Sequence, residues 1–120
     1  MDIRVKRVYE PAAPSDGYRV LIDRLWPRGV STQRAALDRW DKELAPSAEL
    51  RRWFGHEPER FQEFRRGYEE ELREQRARLS ELRRRAREGT LTLVYSAHDA
   101  EHNDAVVLAE VLRRGLPRNG

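Results

Sequence analysis

Apolar positions along this chain switch between short strand-like runs and longer stretches of helical period. Ile3 and Val5 alternate with charged residues and lead into Val8, predicting a first strand over Ile3–Val8. A second strand is predicted over Tyr18–Leu25, where Val20, Leu21 and Ile22 are apolar in succession, as in strands buried on both faces. The run Leu91–Ala97 predicts another. Trp26-Pro27-Arg28-Gly29 ends the second strand, because proline cannot donate to a ladder and glycine weakens one. The turn-rich link Glu10–Gly17 is shorter than an ordinary parallel crossover. The first two strands are therefore either antiparallel neighbours or separated by another strand.

Helical signals fill the middle of the chain. Ser31 caps a short helix running to about Ala36. Leu37–Ala45 reads two ways: Leu37, Trp40 and Leu44 have helical spacing, while Asp38–Lys42 suits an exposed strand. Ser47 caps a brief helix with Leu50, Trp53 and Phe54 on one side and Glu49 in its first turn. Gly55 ends it, and Pro58 suits the first position of the next helix. Phe61, Phe64, Tyr68, Leu72, Leu79, Leu82 and Ala86 form an amphipathic stripe with a break near Gln75, ended by Gly89. Ala105–Leu112 is apolar except at Glu110, predicting a helix nearly buried against the sheet. Arg113 and Arg114 complement its dipole, Gly115 and Pro117 stop it, and Arg118-Asn119-Gly120 reads as a frayed end. This order predicts one α/β domain over 1–120, a small mostly parallel sheet flanked by helices.

Composition narrows the classes available. A chain of 120 residues supports one core, and with 38% hydrophobic and 38% charged residues that core is modest. A second copy would bury more of the surface, so a homodimer is an expectation, although no interface is visible. The absence of cysteine excludes thiolate nucleophiles, disulfides and cysteine-based metal sites. The first residues alternate like a strand rather than forming the apolar core of a signal peptide. No stretch approaches the roughly 20 apolar residues of a membrane span. The expectation is a soluble cytoplasmic protein with no membrane partner and no cofactor. An isoelectric point near 9.7 points towards nucleic acid. The net charge is only +3, however, and Lys6 and Lys42 are the only lysines among 24 basic residues. Arginine stays charged at high pH and raises the isoelectric point without adding charge near neutrality.

Two predicted strand ends carry unusual polarity. The second strand delivers Asp23, Arg24, Trp26 and Arg28, and the Leu91–Ala97 strand delivers Tyr95, Ser96, His98 and Asp99. His102 and Asn103 follow at the start of the last helix. Ligands of open α/β sheets bind beyond the carboxyl ends of the strands, so both sets meet at one edge if these strands are parallel neighbours. Asp23-Arg24 is costly to bury unless paired or functional, and reads equally as a structural ion pair or as ligand-facing groups. Arg24 and Arg28 are candidate anion ligands and Trp26 a pocket wall. Asp23, Asp99 and His102 are the candidate catalytic groups, since imidazole titrates near neutrality. The alternative for His102 is a helix-start histidine bonded to the Asp99 region. His56 reads first as a connector between helices, and is kept with Tyr95 and Asn103 among the candidate ligand contacts. His98 reads as exposed.

An anion would gain from the last helix's N-terminus. Asp99, Glu101 and Asp104 would repel it there unless Arg24 or Arg28 reaches across. Asp99, Glu101 and His102 match no metal-ligand spacing, and no metal is expected. Arg83-Arg84-Arg85 with Arg87 reads as a solvated helix end in preference to a nucleic-acid contact. Trp26, Trp40 and Trp53 are too scattered to form a base-stacking platform.

The stretch Tyr18-Arg19-Val20-Leu21-Ile22-Asp23-Arg24-Leu25-Trp26-Pro27-Arg28-Gly29 resembles the signature of the bacterial YeaO-like family, domain of unknown function 488 (DUF488). Glu43-Leu44-Ala45-Pro46-Ser47, Leu50-Arg51 and Trp53-Phe54-Gly55-His56 continue the resemblance. So do Tyr95, Asp99, Glu101-His102-Asn103 and Ala105-Val106-Val107-Leu108, so that it spans nearly the whole chain. The resemblance implies a small α/β domain without an established reaction. Longer members of the wider group carry a cysteine where Tyr95 stands and another near Asn103. A phosphatase-like or rhodanese-like thiol mechanism therefore does not carry over, whereas Asp23, Asp99 and His102 do. Some relatives are labelled transcriptional regulators, but this chain shows no helix-turn-helix with a basic recognition helix. The leading expectation is a small-ligand-binding domain, enzyme or not, for a nucleotide-like or phosphorylated anionic ligand. The alternative is a nucleic-acid-associated or regulatory module using the arginine-rich helical face, and a third reading is an interacting subunit without a ligand.

Overall fold

Four parallel strands form the frame of the molecule. A computed structural model of the chain describes residues 1–118, so the fraying expected at Asn119 and Gly120 lies outside the described residues. The strands are β1 (Asp2–Arg7), β2 (Tyr18–Leu21), β3 (Arg39–Trp40) and β4 (Thr90–Tyr95), in the order β1-β4-β2-β3. Every pair is parallel, with Val5 opposite Leu93 and Leu93 opposite Val20. Of the two arrangements open for the first strands, the separated one holds, with β4 between them. Residues 8–17, fully extended, reach roughly 33 Å. That is enough to return along a strand of about 20 Å and step past β4.

That short return is pinned by close contacts rather than by a helix. Gly17 sits at φ 63°, and a Cβ there would lie 2.3 Å from the Thr90 carbonyl oxygen, so only glycine passes over the start of β4. Thr92 donates its hydroxyl to the Asp16 carbonyl at 2.7 Å. Asp16 and Arg19 are both buried, and the Arg19 Nη1 donates to Asp16 Oδ2 at 2.7 Å.

The helices are α1 (Thr32–Ala35), α2 (Ala48–Phe54), α3 (Phe61–Leu72), α4 (Arg76–Glu88) and α5 (Asp104–Arg114). Ser31 and Ser47 cap α1 and α2, accepting from the Arg34 and Leu50 N–H groups. Pro58 opens a 3-10 turn, Pro58–Arg60, rather than the first turn of α3 itself. The predicted break near Gln75 is a second 3-10 turn, Arg73–Gln75. The apolar stripe of α3 and α4 is buried from Phe61 to Ala86, and with α5 it covers one face of the sheet. The opposite face carries a smaller cluster of Val8, Leu21, Val30, Ala35 and Val94. The ambiguous segment 37–45 resolves into both forms, the two-residue β3 followed by a 3-10 turn at Lys42–Leu44.

Strands β2 and β4 stop before the predicted Leu25 and Ala97. One more backbone bond follows on each side, from the Ile22 N–H to the Val94 carbonyl and from the Val8 N–H to the Tyr95 carbonyl, and beyond these the pairing is continued by side chains. Asp23 accepts from the Ser96 N–H at 2.9 Å, and the Arg7 Nε donates to the carbonyls of Ser96 and Ala97 at 3.3 and 2.9 Å. The two chains diverge at this level, and the gap between them opens the hollow described next.

Candidate functional site

Beyond the carboxyl ends of β1, β2 and β4 lies a cavity of about 800 Å³. It is within the usual range of small-molecule sites, roughly 300–1,000 Å³. Asp23, Arg24, Trp26 and Arg28 enter it from the segment after β2, and Ser96, His98, His102, Asn103 and Asp104 from the segment after β4. Arg7 and Tyr9 contribute from the end of β1, while Arg51, Phe54 and His56 come from α2 and its exit. The two polar strand ends read from the sequence are therefore brought together at one hollow.

Its inner part is acidic. Asp23 Oδ2 accepts from both the Ser96 N–H and the Ser96 hydroxyl, at 2.9 and 2.7 Å. The Asp104 carboxyl, in hydrogen-bond contact with Asp23, is pushed well above the ordinary carboxylate range by burial first and by the Asp23 charge second. Two carboxyl groups in contact resist double ionisation, so the pair holds a proton to higher pH than an isolated carboxyl would. Asp104 was expected only to repel an anion, and a proton held by the pair lessens that repulsion. The sequence signal for its role was its place at the first position of a buried helix.

Asp99 and His102 form a second unit. Asp99 Oδ1 accepts from the backbone N–H groups of Glu101 and His102, at 2.9 and 3.1 Å, and Oδ2 lies 2.8 Å from the His102 Nδ1. The Glu101 N–H contributes most to holding the Asp99 carboxyl below its usual range, with His102 next. Both readings of His102 hold together: it is bonded to Asp99, and its ring lines the cavity against the edge of Phe61. Asp99 does not line the cavity and can act there only through His102.

The ion-pair reading of Asp23-Arg24 is not what the structure shows. Asp23 is engaged by Ser96, while Arg24 is exposed and donates its Nε to the Pro46 carbonyl at 3.3 Å. Tyr95 lies in the core beneath the sheet end and not on the cavity surface, because strand alternation turns it towards the α3–α5 side. Burial raises its phenol above the usual value. His56 is exposed with φ 59°, and lines the cavity as well as connecting α2 to the next turn. His98, also exposed, reaches the Arg7 guanidinium at 3.1 Å. Trp26 is a half-buried wall whose indole N–H is tied to the Val30 carbonyl at 2.7 Å.

Two further features were not legible beforehand. The N-terminus of α5 is closed by its own side chains: Asn103 accepts from the Val106 N–H and Asp104 from the Ala105 N–H. The cationic groups at the hollow are instead the guanidinium groups of Arg7, Arg24, Arg28 and Arg51, none of which pairs with a carboxylate among the described residues. Arg51 lies on α2, far from either strand in sequence, and only the packing of α2 brings it here. Among the described residues no three His, Asp or Glu side chains are grouped as metal ligands.

Fold and site define a small single-sheet α/β domain with a polar hollow beyond the strand ends. The chain belongs to the DUF488 family: residues 2–120 match the family model described as "Inactive DUF488-N3 subclade". It is 49% identical over 113 residues to the Escherichia coli K12 protein named "Uncharacterized protein YeaO", covering 94% of this chain and 98% of that one. It is 44% identical over 110 residues to "Uncharacterized protein Rv3073c" of Mycobacterium tuberculosis H37Rv, covering 92% of each. The Mycobacterium bovis protein "Uncharacterized protein Mb3100c" matches to the same extent. No solved structure matches the chain significantly.

Proposed function

We propose that the chain is a small-ligand-binding domain whose hollow takes a phosphorylated, nucleotide-like ligand. The observation that carries this reading is the set of arginines without carboxylate partners around one cavity. Arg24, Arg28 and Arg51 are exposed at its rim, and Arg7 is half-buried behind them. Guanidinium groups match phosphate oxygens in geometry and are less strongly hydrated than ammonium groups, so they suit this task. Trp26, Phe54 and Phe64 give the cavity apolar walls. A phosphate at the rim and an apolar or aromatic body inside satisfy both kinds of lining.

Binding is favoured over turnover. The subclade to which the chain belongs is described as inactive. The chain has no cysteine to serve as a nucleophile, and the Ser96 hydroxyl is donated to Asp23. His102, oriented by Asp99, supplies a hydrogen-bonding group to the ligand. Isothermal titration with AMP and with inorganic phosphate tests the reading. The wild-type chain should bind AMP, and the double variant Arg24→Ala/Arg51→Ala should lose at least about tenfold in affinity, as expected for charged hydrogen bonds of about 1.5–3 kcal/mol each. Failure of both ligands to bind, or binding by the double variant equal to wild type, would overturn it.

A further inference from the structure

The inner end of the cavity has no assigned partner, and its chemistry differs from that of the rim. Asp23 Oδ2 is saturated by two donors from Ser96, and Asp104 Oδ1 accepts from the Ala105 N–H at 2.8 Å. Asp23 Oδ1 and Asp104 Oδ2 have no protein N–H or hydroxyl donor among the described residues. Both residues line the cavity and are less exposed than Arg24, Arg28 and Arg51 at the rim. We propose that the Asp23–Asp104 pair is the element that recognises the uncharged end of the ligand, a nucleobase edge with a hydrogen-bond donor beside an acceptor. This rests on the phosphate reading of the rim and assigns the opposite end of the same ligand.

The argument is one of hydrogen-bond satisfaction. A carboxylic acid beside a carboxylate offers one O–H donor and one strong acceptor at adjacent positions. Without a ligand, the single proton serves both oxygens. A nucleobase edge replaces that one bond by two, its N–H to the carboxylate and its ring nitrogen or carbonyl to the acid O–H, and leaves no buried charge unpaired. A ribose phosphate lacking the base cannot do this. Polar groups of this kind, left unpaired by a ligand that lacks the matching atoms, are a strong source of discrimination.

The proton makes the recognition depend on pH. Asp104 is held well above the carboxylate range by burial and by Asp23, so the O–H persists to higher pH than in an ordinary carboxyl. Tyr68 on α3 and Tyr95 on β4 feel its charge, and His102 on the preceding loop and Arg24 after β2 line the same cavity. Burial raises both phenols, so neither adds a charge of its own beside the pair in the neutral range. Loss of that proton removes the donor and places a second negative charge beside the ligand.

Titration of the full chain with AMP and with ribose 5-phosphate, at about pH 6 and about pH 9, tests the assignment. The phosphate ionises alike in both ligands, so the ratio of their affinities isolates the base. At the lower pH the wild type should favour AMP by about tenfold or more, and the advantage should shrink at the higher pH. Asp104→Asn keeps a donor that cannot ionise and should hold the advantage at both pH values, whereas Asp104→Ala should lose it. Equal affinity for the two ligands in the wild type at the lower pH overturns this inference alone, as does an undiminished advantage in Asp104→Ala. If neither ligand binds, the phosphate reading falls and this inference with it.

Discussion

Arg19 shows what lets a charge sit inside an apolar strand. It is 3% exposed, and its donors reach the Ala35 and Ala36 carbonyls and the Asp16 carboxylate. Burial alone would raise the Asp16 carboxyl, but the Ala13 N–H, Lys6 and Arg19 outweigh it and hold the group below its usual range. Its folded value is depressed, so its stabilisation is complete above the ordinary carboxylate range and is lost as pH falls through the lower, folded value. Asp16→Ala leaves a buried guanidinium uncompensated and should cost about 3–5 kcal/mol in urea unfolding. Asp104 has the opposite sign. Its folded value is raised, so its contribution is complete below the ordinary carboxylate value and is lost as pH rises through the folded one. Thermal denaturation of Asp104→Asn beside wild type should show the variant gaining relative stability as pH rises, and a constant difference would refute the shared proton. His102→Ala, at a half-buried ring, should weaken AMP binding while moving the melting temperature by only a few degrees.

At the scale of elements, hydrophobic period was enough to locate β1, β2, β4 and the helices, including the broken α3–α4 stripe and the buried α5, but left β3 open between helix and strand. It could not give the ends of β2 and β4, because beyond the last backbone bonds, at Ile22 and Val8, Asp23 and Arg7 side chains take over the pairing and leave no periodic trace. Nor could it give the strand order, since the return from β1 to β2 depends on one close approach at Gly17. Gly17→Ala would place a methyl group 2.3 Å from the Thr90 oxygen at a positive φ. It should destabilise the fold by about 3 kcal/mol or more, measured by urea unfolding. Substitution at Gly89, where no atom lies within 4 Å of a new Cβ, should cost far less. The lining of the hollow was legible at Asp23, Arg24, Trp26 and Arg28 after β2 and at His102 and Asn103 before α5. Arg51 and Arg7 were not, because they belong to other elements and meet the hollow only through packing.

Across the whole molecule the arginines divide by what they touch, and the division bears on the nucleic-acid alternative. Arg83, Arg84 and Arg85 of α4 are engaged within the fold. Arg83 donates to the Val111 and Leu112 carbonyls at the end of α5, both at 3.1 Å. Arg84 pairs with Glu81 and Glu88, and Arg85 pairs with Glu81 while its guanidinium lies 4.3 Å from the centre of the Tyr18 ring. The arginines of the hollow have no such carboxylate partners. Replacing Arg83, Arg84 and Arg85 together by alanine should therefore lower stability, by about 1–3 kcal/mol from the two Arg83 bonds. It should change the affinity for a labelled DNA duplex, followed by fluorescence anisotropy across a salt series, by less than about threefold. Arg24→Ala/Arg51→Ala should behave in the reverse way, with a melting temperature within a few degrees of wild type and a large loss of AMP affinity. If the α4 triple variant kept its melting temperature and lost DNA affinity and salt slope together, the arginines of α4 would be a nucleic-acid surface. The hollow would then have to be judged separately from the helical face.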